Sequence, residues 1–139
     1  MRKMTMPLLK REVLPIRTET DVVMVRQAVR RLTIEQGFGL VDQTKLITAA
    51  SEIARNALDY GGGGEAQLET HLEGGKKGVR LIFEDKGPGI TDIAQAMTDG
   101  FTSGGGLGHG LGGAKRLVEH FEITSTPGVG TRVVLARWK

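Results

Sequence analysis

The sequence predicts an α+β fold: a two-layer α/β sandwich with a mixed, mostly antiparallel sheet carrying helices on one face. Two observations predict it. Strand-like runs come singly and in hairpin pairs around two helical apolar stripes and a third, later helix, and glycine-rich breaks separate the elements.

Glu12 to Thr18 reads as a short strand, and Pro15 confines it to a sheet edge or a bulge. Thr20 or Asp21 is the cap expected for the first helix, where Val22, Val25, Val29 and Leu32 repeat at helical spacing before Gly37. Asp42 is the cap expected for a second helix. Its stripe of Leu46, Ala50, Ile53 and Ala57 should stop at Gly61, the first of four consecutive glycines. Ala66 to Leu72 and Val79 to Glu84 form a hairpin around Gly74-Gly75-Lys76-Lys77-Gly78. Asp85 to Gly108 reads as a long loop with room for one short helix. Gly110 to His120 is helical, with Leu111, Ala114, Leu117 and Val118 on one side. Phe121 to Thr126 and Arg132 to Ala136 close the chain as strands around Pro127-Gly128. Without an internal repeat or linker, residues 1–139 are expected to be one domain.

Composition excludes several classes. The absence of cysteine removes disulfides and thiolate metal sites, and His71, His109 and His120 lack metal-ligand spacing. A net charge of +3, scattered basic residues and a single Trp and Tyr argue against a nucleic-acid binder. The N-terminal MRKMTMPLLKREV has no apolar stretch suited to a signal peptide. Nothing approaches the roughly 20 apolar residues of a membrane span. The expectation is a soluble, cytoplasmic protein.

Glycine is the loudest signal, at 21 residues. Two clusters sit where a strand enters a loop and where a loop enters a helix, places where backbone amides can approach an anion. On the second helix Glu52 and Asn56 lie four residues apart, hence on one face, at the edge of the buried stripe. A carboxylate and an amide there, followed by glycines, suggest a site; pairing of Glu52 with Arg55 or Lys45 on a wet helix fits that helix alone equally well. Asp85 ends an apolar strand just before Gly87-Pro88-Gly89, where a carboxylate could accept from an exocyclic amine; a strand-ending turn explains the same residues. A dinucleotide fingerprint at Gly108, Gly110 and Gly113 fails on context, because it follows a loop rather than a strand. A Walker A loop fails because Ala114 separates Gly113 from Lys115.

Four segments, SEIARNALDYGGGG, EDKGPGI, GLGHGLGGAKRL and TPGVGTRV, resemble the N, G1, G2 and G3 boxes of the GHKL (Bergerat-fold) ATP-binding superfamily, in its order and spacing. The likeness runs from about Thr18 to Trp138, and within the family it is nearest the bacterial anti-sigma-factor serine kinases and RsbT-type switch kinases. The resemblance implies ATP and Mg²⁺ as ligands and roles for particular residues. Asn56 would be the magnesium ligand. Asp85 would read the adenine amine, helped by Thr131 through water, with Gly87 and Gly89 along the base and ribose. Gly104, Gly105, Gly106 and Gly108 would belong to a lid over the phosphates. Amides around Gly108, His109, Gly110, Leu111 and Gly112 would hold phosphate oxygens at a helix start. Glu52 would be the general base for a serine hydroxyl. His109 and Gly113 depart from the family pattern, which favours an aliphatic residue and a proline there.

The implied function is an ATP-dependent protein-serine kinase acting on a STAS-domain (anti-sigma-antagonist-like) partner in bacterial stress signalling. A phosphatase or cyclase would be the second target on release, and no nucleic acid or membrane is involved. Monomer and homodimer both stay open. The alternative is a nucleotide-gated module that sequesters a partner, and an ATPase turning over on water is a third reading. Retention of Glu52 favours the enzyme, since a pure binder has no need of a base.

Overall fold

The computed structural model describes residues 8–90, 93, 97 and 110–139. In chain order the elements are β1 (Leu8–Ile16), α1 (Glu19–Glu35), α2 (Leu40–Asp59), β2 (Gly64–Glu73), β3 (Lys76–Asp85), α3 (Gly110–Arg116), β4 (His120–Thr126) and β5 (Gly130–Trp138). The strands form one sheet in the order β1-β2-β3-β5-β4. Every described pairing is antiparallel, so no parallel pair of the expected mixed sheet occurs among the described strands.

Strand alternation sends Ala66, Leu68, Leu81, Phe83, Val133 and Leu135 to the face that carries the helices. There they meet Val22, Val25, Val29 and Leu32 of α1 and Leu46, Ala50, Ile53 and Ala57 of α2, each at most 5% exposed. Both predicted stripes are therefore the core faces, and each large aliphatic side chain so buried is worth about 1.5–3 kcal/mol. Pro15 lies on β1, an edge strand, the kind of position that tolerates a residue without an N–H.

The helix starts differ from expectation. The α1 cap is Thr18, not Thr20 or Asp21: its hydroxyl accepts from the Asp21 amide at 3.1 Å, and the Asp21 carboxylate accepts from the Thr18 amide at 3.1 Å. Helix α2 starts after Gly39 with no side-chain cap. Asp42 instead accepts from Arg137 Nη2 at 2.6 Å, while Arg137 Nη1 donates to the Leu117 carbonyl at 3.1 Å. One guanidinium thus ties β5 to the start of α2 and the end of α3.

The first hairpin is tighter than five loop residues. Glu73 pairs with Lys76 across Gly74 (φ 57°) and Gly75 (φ 83°), the left-handed pair that a two-residue primed turn requires. Helix α3 is shorter than expected and ends at Arg116. Leu117 and Val118 bond back three residues, the Glu119 amide donates to the Ala136 carbonyl, and His120 already belongs to β4. Of the predicted Asp85–Gly108 loop, the described part includes one turn in which the Met97 amide donates to the Ile93 carbonyl at 2.9 Å.

The opposite face of the sheet buries a charge. Glu69 is 1% exposed and accepts from Arg11 at 2.6 and 2.9 Å and from Arg80 at 3.3 Å, with His71 Nε2 at 2.8 Å. Burial alone would raise its carboxyl, but the hydrogen bonds from His71 and Arg11 outweigh it and hold the group below the ordinary glutamate range.

Candidate functional site

The helix-bearing face is built in rungs across β3, β5 and β4. Leu81, Leu135 and Phe121 form one rung and Phe83, Val133 and Ile123 the next. The following rung is polar: Asp85, Thr131 and Ser125. Alternation thus points Asp85 and Thr131 to the side where α2 ends, although they are far apart in sequence.

Glycines let α2 close onto that rung. After the α2 cap at Tyr60, Gly61 turns back, its amide donating to the Asn56 carbonyl at 3.2 Å. A Cβ on Gly61 would lie 2.6 Å from Asp85 Oδ2, and one on Gly87 would lie 2.6 Å from Gly61 Cα. The chain after β3 is pinned from both sides. The Gly87 amide donates to Asp85 Oδ1 at 2.9 Å, the Ile90 amide to Ser125 Oγ at 2.7 Å, and the Gly128 amide to the Pro88 carbonyl at 2.7 Å. Gly89, with φ 79°, passes so close to Thr126 that a Cβ would sit 2.5 Å from its carbonyl oxygen.

Glu52 and Asn56 are half-buried on α2, in the two turns preceding Gly61. Among the described residues neither side chain has a hydrogen-bond or ion-pair partner. Arg55 makes no hydrogen bond to Glu52: its Nη1 binds both oxygens of Glu19 at 2.6 and 2.7 Å, although the Glu52 charge still helps to hold the guanidinium protonated. Gly61, five residues past Asn56, and Gly87 thus close on Asp85 where α2 ends beside the rung that holds Thr131; Gly89 packs instead against Thr126, and Glu52 lies one turn before Asn56 on the helix.

Gly110, Leu111 and Gly112 begin α3, which packs against α2. Leu111 is 7% exposed and its side chain belongs to the core, so only its backbone faces any ligand. Gly104, Gly105, Gly106, Gly108 and His109 lie outside the described residues. A shallow groove of about 310 Å³ also reaches Asp85 and Thr131, but its other walls include Glu84, Arg132 and Thr124 of the opposite sheet face, and neither Glu52 nor Asn56 lines it. The side where the end of α2 meets the polar rung through Gly61 is the better candidate.

Sequence reading missed Ser125 and the fit of Gly61 against Asp85. A signal for Ser125 existed in register: Ser125 and Thr131 are symmetric about the Thr126–Gly130 turn and so must pair. No local pattern marks the Gly61 contact, which joins two segments 24 residues apart.

Residues 41–139 match the family model of histidine kinase-, DNA gyrase B- and HSP90-like ATPases. The chain belongs to this family. It is 48% identical over 123 residues to the serine/threonine-protein kinase RsbT of Bacillus subtilis (strain 168), covering 88% of this chain and 92% of that protein. Identity to the anti-sigma F factor of Clostridium novyi (strain NT) is 31% over 99 residues, 68% of this chain and 69% of that protein. In fold it is similar to the RsbU and RsbW domains of a Mycobacterium tuberculosis protein, with a TM-score of 0.64 at 23% identity. That match covers 96% of this chain and only 33% of the longer one. Within the family this chain is an ATP-using protein serine/threonine kinase of a partner-switching pathway. No helix among the described residues is long and apolar enough to cross a membrane.

Proposed function

We propose that this kinase transfers the γ-phosphoryl group of ATP to a serine of a STAS-domain partner, using Glu52 as base and Asn56 as the magnesium ligand. The reading is supported by the seam where Gly61, just past α2, and Gly87 close on Asp85 of the Asp85–Thr131 rung, and by two α2 side chains, Glu52 and Asn56, that have no hydrogen-bond partner among the described residues. The hydroxyl oxygen of the partner serine attacks the γ-phosphorus, the bond to the β–γ bridging oxygen breaks, and ADP leaves. The hydroxyl proton passes to a Glu52 carboxylate oxygen. Positioning dominates such a transfer, so one carboxylate on a rigid helix is an adequate contribution from the protein.

The donor set at Asn56 fits Mg²⁺. An amide oxygen not committed to any described group is a neutral, hard ligand, and magnesium keeps waters and phosphate oxygens for the remainder of its shell. When bound, the ion neutralises phosphate charge. Asp85 accepts from the adenine amine beside Thr131, Gly87 and Gly89 leave room for the base and ribose, and the amides of Gly110, Leu111 and Gly112 face the phosphates. A cytoplasmic setting accompanies this reading, and the cysteine-free chain is at home in a reducing compartment.

The test is transfer of labelled γ-phosphate from Mg-ATP to a purified STAS-domain protein, with Glu52→Ala as control. Label on a partner serine that falls about 10²–10⁴-fold in the variant, while ATP still binds, is the expected result. Full transfer by the variant removes Glu52 from the mechanism. ATP binding without any transfer by the parent chain leaves a nucleotide-gated binding module.

A further inference from the structure

Ser125 is a hydroxyl with three partners at the end of the polar rung. It accepts from the Ile90 amide at 2.7 Å, lies 2.9 Å from Thr131 Oγ1, and has the Gly130 carbonyl within donating reach at 3.2 Å. A hydroxyl has one proton and two lone pairs. The Gly130 carbonyl can only accept, and the Ile90 amide can only donate. All three contacts are satisfied together in one arrangement: Ser125 donates to Gly130, and Thr131 donates to Ser125. Thr131 then has no proton to offer and turns only lone pairs outward. Asp85, paired with Thr131 in register, is likewise an acceptor, and its Oδ1 already takes the Gly87 amide.

Building on the proposed base-reading role of Asp85 and Thr131, we infer that Ser125 is a positioning residue that fixes the Thr131 hydroxyl as an acceptor, making the edge that meets the base acceptor-only and thereby selective for a 6-amino purine over a 6-oxo purine. An exocyclic amine supplies two hydrogens to such an edge, directly or through water. A carbonyl in the same place sets acceptor against acceptor and leaves them unpaired. If Thr131 were free to rotate, it would donate to a 6-oxo group and the discrimination would shrink. Ser125 acts without touching the nucleotide, and through Ile90 it also holds the loop carrying Gly87 and Gly89 against β4.

The experiment compares binding of ATP and inosine triphosphate, whose bases differ only at position 6 and in protonation of N1. Calorimetry on the full chain gives affinities for the parent, Ser125→Ala and Ser125→Thr, and thermal unfolding without nucleotide is followed alongside. The parent should prefer ATP by about tenfold or more, the scale expected for unpaired polar groups. In Ser125→Ala the ratio should fall to about two- to threefold, and Ser125→Thr should restore it. A parent-like ratio in Ser125→Ala overturns the inference, even if that variant unfolds at lower temperature, because a merely structural role moves stability and not the ratio. Failure of the parent to distinguish the two nucleotides is a different result: it refutes base reading by Asp85 and Thr131, and the inference about Ser125 falls with it.

Discussion

Replacing Gly61 with alanine is the sharpest structural test of the site, because it adds one carbon at the seam between α2 and β3. That carbon would lie 2.6 Å from Asp85 Oδ2 and 2.7 Å from Asp85 Cβ, where ordinary contact begins at 3.4 Å. With Asp85 Cγ nearer still, at 2.4 Å, the carboxylate must retreat by about 1.0 Å, and rotation about its own bonds cannot free the β-carbon, so the backbone yields too. A shift of that size carries Oδ1 from 2.9 Å to beyond hydrogen-bonding range of the Gly87 amide. Overpacking typically costs about 1–3 kcal/mol, and the loss of a bond to a charged acceptor about 1.5–3 kcal/mol. These overlap, since relieving one causes the other. Replacing a glycine whose φ is not positive returns about 0.4–1 kcal/mol through the unfolded chain. The expected net loss is about 1–2 kcal/mol of stability, with ATP affinity down about tenfold as Asp85 is displaced. Calorimetric titration with ATP and thermal unfolding measure both. Gly39→Ala, where nothing lies within 4 Å, is the control for ATP binding. If Gly61→Ala binds ATP within twofold of the parent at an unchanged melting temperature, the seam does not position Asp85.

Three further expectations come from the same geometry. Asn56→Ala should weaken Mg-ATP by about tenfold or more while leaving magnesium-free nucleotide binding much less affected; equal losses with and without the ion would remove the metal role. Arg137→Met should lower stability by about 2 kcal/mol in urea unfolding, since two hydrogen bonds linking β5 to α2 and α3 are lost and Asp42 stays unpaired; a change under 0.5 kcal/mol would make the clamp incidental. Glu69 contributes a pH dependence. Its folded pKa is depressed, so its stabilisation is fully present above the unfolded value of about 4.3 and drains away as pH falls through the folded value. Glu69→Gln should be less stable than the parent at pH 7 and show a flatter stability profile below about pH 4.5; parallel profiles would show that other carboxylates govern acid unfolding.

Much of this was legible in the chain, and the misses have physical causes. Apolar periodicity reports burial, so the stripes of α1 and α2 were readable. It does not report helix starts: Leu40 and Val41 open α2 at 71% and 67% exposed, and the buried stripe begins only at Leu46. Asp42 resembles a cap by type, but its partner Arg137 is 95 residues away. Thr18 was legible through its spacing to Asp21, a capping box with aspartate in the place usual for glutamate. Helix α3 was overextended because Leu117 and Val118 are apolar and partly buried, which a turn leading into β4 also satisfies. Box motifs brought Glu52, Asn56, Asp85 and Thr131 into view by likeness. Ser125 against Thr131 needed the strand register, and Gly61 against Asp85 needed the packing of α2 on the sheet.

That register explains why the proposed nucleotide site is where it is. The rungs Leu81–Leu135–Phe121 and Phe83–Val133–Ile123 are core, and Asp85–Thr131–Ser125 is the next rung on the same face. A purine there would continue the apolar layer, stacking its faces against the end of the core while its edge meets acceptors fixed by the sheet. Among the described residues, α2 ends at Asp59 beside that rung and the chain turns through Gly61, whose missing side chain leaves space for Asp85. Selectivity and access thus have different origins. On the proposed reading, polar atoms at the sheet end would specify the base, whereas glycines would set how closely the end of α2 packs beside it. Substitutions in the first set should change which nucleotide binds, and those in the second how tightly any nucleotide binds and how fast phosphate moves.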